Sequence, residues 1–115
     1  FIMREKIYLK CGHTDMRRGI GGLAGVVIEE LGLKVCDESA MFIFCGRKKD
    51  RYKMLYWERD GFVLLYKRIE KGRLKWPKKP EKYIQLTAQE YRWLKEGLPI
   101  VQARANKALE SVNII

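Results

Sequence analysis

The apolar period of this chain changes at Met41, and that change limits what it can fold into. Before it, Met16, Ile20, Leu23, Ala24, Val27, Ile28 and Leu31 recur at helical spacing. Thr14 or Asp15 is placed as an N-cap and Gly32 as a terminator, so the spacing predicts a helix over 15–31. From Met41 to Cys45 the apolar residues are continuous over a strand's length. Gly46 to Asp50 read as a turn, Tyr52 to Glu58 as a strand, and Asp60-Gly61 as a hairpin signal. Phe62 to Ile69 follow, then a tight turn at Lys71-Gly72 and a short return from Leu74 to Trp76, ended by Pro77 and Pro80. Ile7 to Leu9 add a short strand closed by Gly12, and Tyr83 to Leu86 a fifth strand or an extended lead-in. Thr87 and Glu90 have capping-box spacing, opening a helix to Glu96 that Gly97 and Pro99 stop; a polar last helix is predicted over 102–112.

The expected fold is therefore α+β. A single domain holds an antiparallel β-meander of about four to five strands packed on an N-terminal-half helix. The helix 88–96 is expected at a sheet edge or on the same face as the first, within a short C-terminal helical region. At 115 residues, 47% of them hydrophobic, the chain suits one domain over 1–115, with a compact part at 5–98 and a helical tail at 99–115. Four glycines in the first helix, Gly19, Gly21, Gly22 and Gly25, each cost about 0.8–1 kcal/mol relative to Ala. Close packing of that helix on the sheet is the expected reason, since neither a P-loop nor a dinucleotide fingerprint is present.

No stretch approaches the roughly 18–20 apolar residues of a membrane span. Phe1 to Met3 lead straight into Arg4, Glu5 and Lys6, unlike a signal peptide, and whether Phe1 is the native start is left open. Three cysteines, an odd number, favour a reducing compartment, so the expected location is cytoplasmic. Cys11, His13, Cys36 and Cys45 supply zinc-type donors without any Cys-x-x-Cys pair, so neither a metal nor another cofactor is expected.

Charge is the strongest functional signal. The net charge is +10, and residues 47–79 hold 13 of the 24 basic residues but only 4 of the 14 acids. That segment carries +9 and the rest of the chain +1. Such clustering is the footprint of a polyanion-binding surface rather than of a merely solvated one. In a meander, turns 46–50 and 71–72 lie at the same end of the sheet. Arg47, Lys48, Lys49, Arg51, Lys71 and Arg73 should then gather there, with Lys53, Lys67, Arg68 and Lys75 along the strands beside them. A two-residue turn at Asp60-Gly61 sets Lys53 opposite Arg68, a repulsion that a bound phosphate would relieve. Arg17 and Arg18, in the first helical turn, extend the same surface; cations there call for an outside partner or a carboxylate such as Asp15.

Aromatic residues interleave with these charges: Tyr52, Tyr56, Trp57, Phe62, Tyr66 and Trp76. Most are expected in the core, and Trp76 is read as the exposed one, a candidate for stacking on bases. Enzyme signatures are thin. His13 is the only histidine, the acids are dispersed, and no nucleophile or metalloprotease motif occurs, so no catalytic residue is assigned.

The residues in order carry a resemblance. Thr14-Asp15-Met16-Arg17-Arg18-Gly19, Phe42-x-Phe44-x-Gly46-Arg47 and Asp50-Arg51-x-Lys53-x-Leu55-Tyr56-Trp57 are followed by Asp60-Gly61-Phe62, Tyr66-Lys67-Arg68 and Glu70-Lys71-Gly72-Arg73-x-x-Trp76-Pro77. With Gly22-Leu23 before them and Trp93-Leu94-x-x-Gly97 after, this resembles the second-reading-frame accessory protein, often called TnpB, of the bacterial insertion-sequence 66 family. The match spans roughly residues 7–98 and departs from the family pattern at His13, Cys36-Asp37 and Leu74. The resemblance implies a protein encoded beside a large transposase that itself holds the catalytic carboxylates. Nothing in the chain resembles the unrelated guide-RNA nucleases that share the name. Expected partners are DNA, transposon ends among it, the element's transposase and its other accessory protein, with no membrane; a homo-oligomer stays open. A protein–protein adaptor without DNA contact, and a small ribonuclease-like enzyme using His13, are the alternatives.

Overall fold

A computed structural model describes residues 3–78 and 81–100. Its centre follows from the most apolar run in the sequence: Ala40–Cys45 (β2) is buried at every position and lies in the middle of a five-stranded sheet. A strand covered on both faces needs apolar side chains at consecutive positions rather than at alternate ones. Lys6–Lys10 (β1), Arg51–Glu58 (β3), Gly61–Arg68 (β4) and Tyr83–Leu86 (β5) complete the order β4-β3-β2-β1-β5. The antiparallel meander is present over β2, β3 and β4. β1 instead pairs with β2 in parallel, from Lys6↔Ala40 to Leu9↔Ile43, so the sheet is mixed. The long connection through residues 11–39 makes this possible, because a parallel pair needs a crossover of a dozen residues or more.

The expected fourth meander strand, 74–76, is not a strand. Residues 69–78 leave the β4 edge and pass beneath the sheet, and β5 pairs antiparallel with β1 at the opposite edge. Leu74 and Trp76 anchor that crossing by burying themselves with Ile7, Leu9, Met41 and Ile43. The β3–β4 hairpin turns at Arg59-Asp60, with Glu58 opposite Gly61 and Arg59 in the left-handed region at φ 55°. Lys53 therefore faces Tyr66, and Arg51 faces Arg68; the partner of Lys53 has moved by two residues, which preserves the face of every side chain.

The first helix is shorter than its apolar spacing predicts. Ile20–Gly25 (α1) is α-helical and Val26–Glu30 continues it as a π-helical turn. Neither Thr14 nor Asp15 caps it. Gly19 is the N-cap, without a side-chain hydrogen bond, because the Asp15 carboxylate is taken by the backbone N–H and guanidinium of Arg17. The wider π turn shifts the buried face by about one residue. Leu23, Val26 and Val27 then cover Phe42, Phe44 and Leu55, while Ile20 and Ile28 remain 40% and 55% exposed. The helical glycines do not serve close contact with the sheet: the space beside Gly19, Gly21 and Gly25 is open, and the nearest neighbour of Gly22 is the Arg18 side chain. Gly32 ends the segment at φ 66°, as expected.

Ala88–Lys95 (α2) opens on the expected capping box between Thr87 and Glu90. It packs on the face opposite α1, where Tyr91 and Leu94 join the Met41, Ile43 and Met54 core. Ile100 is buried in the same core, and the helix expected over 102–112 lies outside the described residues.

Candidate nucleic-acid interface

Parallel pairing of β1 beside β2 carries residues 11–19 over the end of the sheet, next to the 46–51 turn. The segment is held at several points. The Gly12 N–H donates to the Pro77 carbonyl at 2.9 Å, the Thr14 N–H to the Cys45 carbonyl at 2.8 Å, and Lys53 Nζ to the Arg18 carbonyl at 2.9 Å. Met16 packs into the α1-side core, where its Cγ would lie 2.8 Å from any Cβ at Gly46. A side chain at residue 46 would therefore have to push Met16 out of its seat.

Between this segment and the turn is a cleft of about 550 Å³. Six cationic side chains line it, from Lys10, Arg17, Arg18, Arg47, Lys48 and Arg51, against the carboxylates of Asp15, Glu30 and Asp50. Two of those carboxylates are already paired: Asp15 with Arg17 at 2.9 Å and Asp50 with Arg51 at 3.1 Å. Arg47 meets only the His13 ring, Nη2 to Nε2 at 3.4 Å, and neither Arg18 nor Lys48 is in an ion pair among the described residues. The cleft thus holds an excess of donors and positive charge, the arrangement a polyanion would neutralise.

The other sequence-predicted cations fall into two further groups. Turn 46–50 and segment 69–74 do meet at one end of the sheet. The Ile69 N–H donates to the Asp50 carbonyl at 2.6 Å, the Leu74 N–H to the Lys49 carbonyl at 2.8 Å, and Arg73 Nη1 to the Lys48 carbonyl at 2.5 Å. Lys49 sits there at φ 59°. Lys49, Arg73, Lys75 and Lys78 border a separate groove on the α2 side, and Lys71 is exposed in the loop before it. On the α1 side, Arg68 lies opposite Arg51, and each guanidinium has its own carboxylate, Glu70 at 2.9 Å and Asp50 at 3.1 Å. No bound anion is needed to relieve that pair. Lys67, one residue on, points to the opposite face. Lys53 is committed to the Arg18 carbonyl and lies 5.8 Å from the centre of the Tyr66 ring.

Trp76 is not an exposed stacking residue. It is 6% exposed, and its indole N–H donates to the Lys10 carbonyl at 2.8 Å. Tyr66 is the accessible ring, 53% exposed on β4. Lys10 and Thr14, which also line the cleft, were outside the expected site: the pairing that brings them there is invisible until the crossover is known.

Cys11 and Cys45 are buried free thiols, Cys36 an exposed one. Burial pushes the Cys45 thiol up to about 12 and raises Cys11, keeping both protonated. Among the described residues, no three His, Cys, Asp or Glu side chains come together as a metal site.

Asp15 at the site and Asp37 at the other end of the sheet both titrate low. Hydrogen bonds from the Arg17 side chain and N–H hold the Asp15 carboxyl down to about 2, and those from Ser39 do the same for Asp37. A depressed folded-state value means the stabilisation is complete above the ordinary value of 3.8 and is lost as pH falls through about 2. Melting temperature measured across that window should fall, and the fall should be shallower in Asp15→Asn, which has no proton to gain at residue 15. An identical slope in the two proteins would show that the Arg17 pair does not hold the segment.

Among the described residues no helix is long and apolar enough to cross a membrane. Residues 5–105 match the family model described as IS66 Orf2 like protein. Two proteins of Sinorhizobium fredii are similar along most of their length. "Uncharacterized protein y4hO" is 32% identical over 81% of this chain and 80% of its own, and "Uncharacterized protein y4jC" 29% identical over 74% and 72%. No solved structure matches significantly. With its family-model match covering most of its length, the chain belongs to the IS66 Orf2-like family, which is associated with transposition of that insertion sequence.

Proposed function

We propose that the chain is a non-catalytic accessory of transposition that binds DNA through its basic end and assists the element's transposase. The observation that carries the reading is the cleft between residues 13–18 and 46–51, whose six cations exceed its three carboxylates and whose two acid–base pairs are internal. Phosphate contacts of this kind position a protein on DNA without reading sequence. The adaptor reading is supported by a different surface: Ile20 on α1 and Ile28 on the π turn after it are exposed beside open glycine positions, where another protein could seat against the backbone.

Fluorescence anisotropy with the terminal-repeat duplex and a scrambled duplex, at several salt concentrations, separates the two readings. DNA binding should weaken steeply with salt, each neutralised phosphate adding about −0.9 to the log–log slope. Preference for the terminal repeat would add end recognition. Absence of binding to either duplex at low salt would remove the DNA reading and leave the adaptor.

A further inference from the structure

We infer that the cleft is built for a backbone phosphate of an unpaired DNA strand, whose base lies against Tyr66. The inference rests on the DNA-binding reading and adds the site and the form of DNA it takes. Its starting point is the charge that the cleft leaves unpaired. Arg18 and Lys48 line it outside any ion pair among the described residues, and Arg47 reaches the His13 ring at 3.4 Å. These cationic groups can only donate. The ligand that completes this set must offer several acceptor oxygens and negative charge, which a phosphodiester does.

The neighbouring surface says what the phosphate belongs to. A second hollow of about 550 Å³ shares Asp15, Met16, Arg17 and Arg51 with the first and runs on to Lys53, Leu64 and Tyr66. An exposed aromatic ring beside a cation and an aliphatic side chain is what a stacked base needs. Bases within a duplex have both faces covered by their neighbours. Only an unpaired nucleotide can place its phosphate in the first hollow and lay its ring on Tyr66.

The test is anisotropy with fluorescein-labelled oligothymidylate, as a single strand and as a duplex with its complement, on the intact chain and two variants. The parent should bind the single strand more tightly than the duplex. Tyr66→Leu should weaken single-strand binding about tenfold and leave duplex binding unchanged. Arg47→Gln should weaken single-strand binding about tenfold and lower its salt slope by about one phosphate's share. Duplex preference in the parent, or a Tyr66→Leu variant that binds the single strand as the parent does, would overturn this inference and leave the duplex-binding proposal standing. An Arg47→Gln variant that binds both forms as the parent does would overturn the cleft as the phosphate site. Failure to bind either form at low salt would overturn both.

Discussion

Trp76→Ala should destabilise the protein by about 3–5 kcal/mol, the usual range for removing a buried large aromatic. Domain stabilities are about 5–15 kcal/mol, so a large part of the total is at stake. The indole ties together elements far apart in sequence. Its ring lies in the core formed by β1, β2 and α2, and its N–H is satisfied by the carbonyl of Lys10 at the end of β1. Without it the crossing that delivers β5 to β1 loses its anchor. Urea denaturation measures the loss directly. Trp76→Phe should lose much less, about 1 kcal/mol for the hydrogen bond plus the change in shape. An Ala variant that stays folded but binds DNA poorly would restore Trp76 as a surface stacking residue and contradict the burial described here.

Phe44→Ala should cost a similar amount, about 3–5 kcal/mol, but with a different spatial pattern. Phe44 is fully buried on the α1 face of β2, in the cluster that holds Leu23, Val26 and Val27. Six α-helical residues with four glycines in and around them, no side-chain cap and a π turn have almost no intrinsic helical stability. Packing alone keeps α1 in place. Hydrogen exchange should therefore show residues 20–30 losing protection in Phe44→Ala well before β2 and β3 do, followed by the 13–18 segment that α1 supports. Uniform loss across the sheet would mean that α1 is not the weak unit.

Most element types could be read from the residues, because each carries its own local signal. The apolar run 41–45, the two strands around a hairpin turn, the Thr87–Glu90 box and the Gly32 stop are all where their chemistry put them. Pairing was harder. Whether β1 runs parallel or antiparallel to β2 depends on how 11–39 returns, and no residue in β1 encodes it. Asp60-Gly61 is a strong turn signal, yet the turn forms one residue earlier, with Arg59 in the left-handed conformation and Gly61 opening β4. Apolar spacing alone also hid the π turn, since Ile28 fits a helical stripe until one wider turn moves it outside. For the site, the clustered cations were evident from composition. Their division into a cleft, a groove and an opposed Arg51–Arg68 pair came only with topology, as did the roles of Lys10 and Thr14. Thr14 looked like a cap because threonine before a helix usually is one; here Asp15 and Arg17 bond to each other and the helix starts later.

The strand order also imposes a sequence of events on synthesis. β1 is made first but pairs only with β2 and β5, and β5 ends at Leu86. A chain emerging from the ribosome can form the β2–β3–β4 hairpins from near neighbours, while one edge of β1 waits for nearly eighty more residues to appear. Until then the crossing segment with Leu74 and Trp76 has no completed face to cover. Of the five strands, the last made is therefore the one that completes the pairing of the first, and a nascent chain stalled before Leu86 would show an unpaired β1 edge.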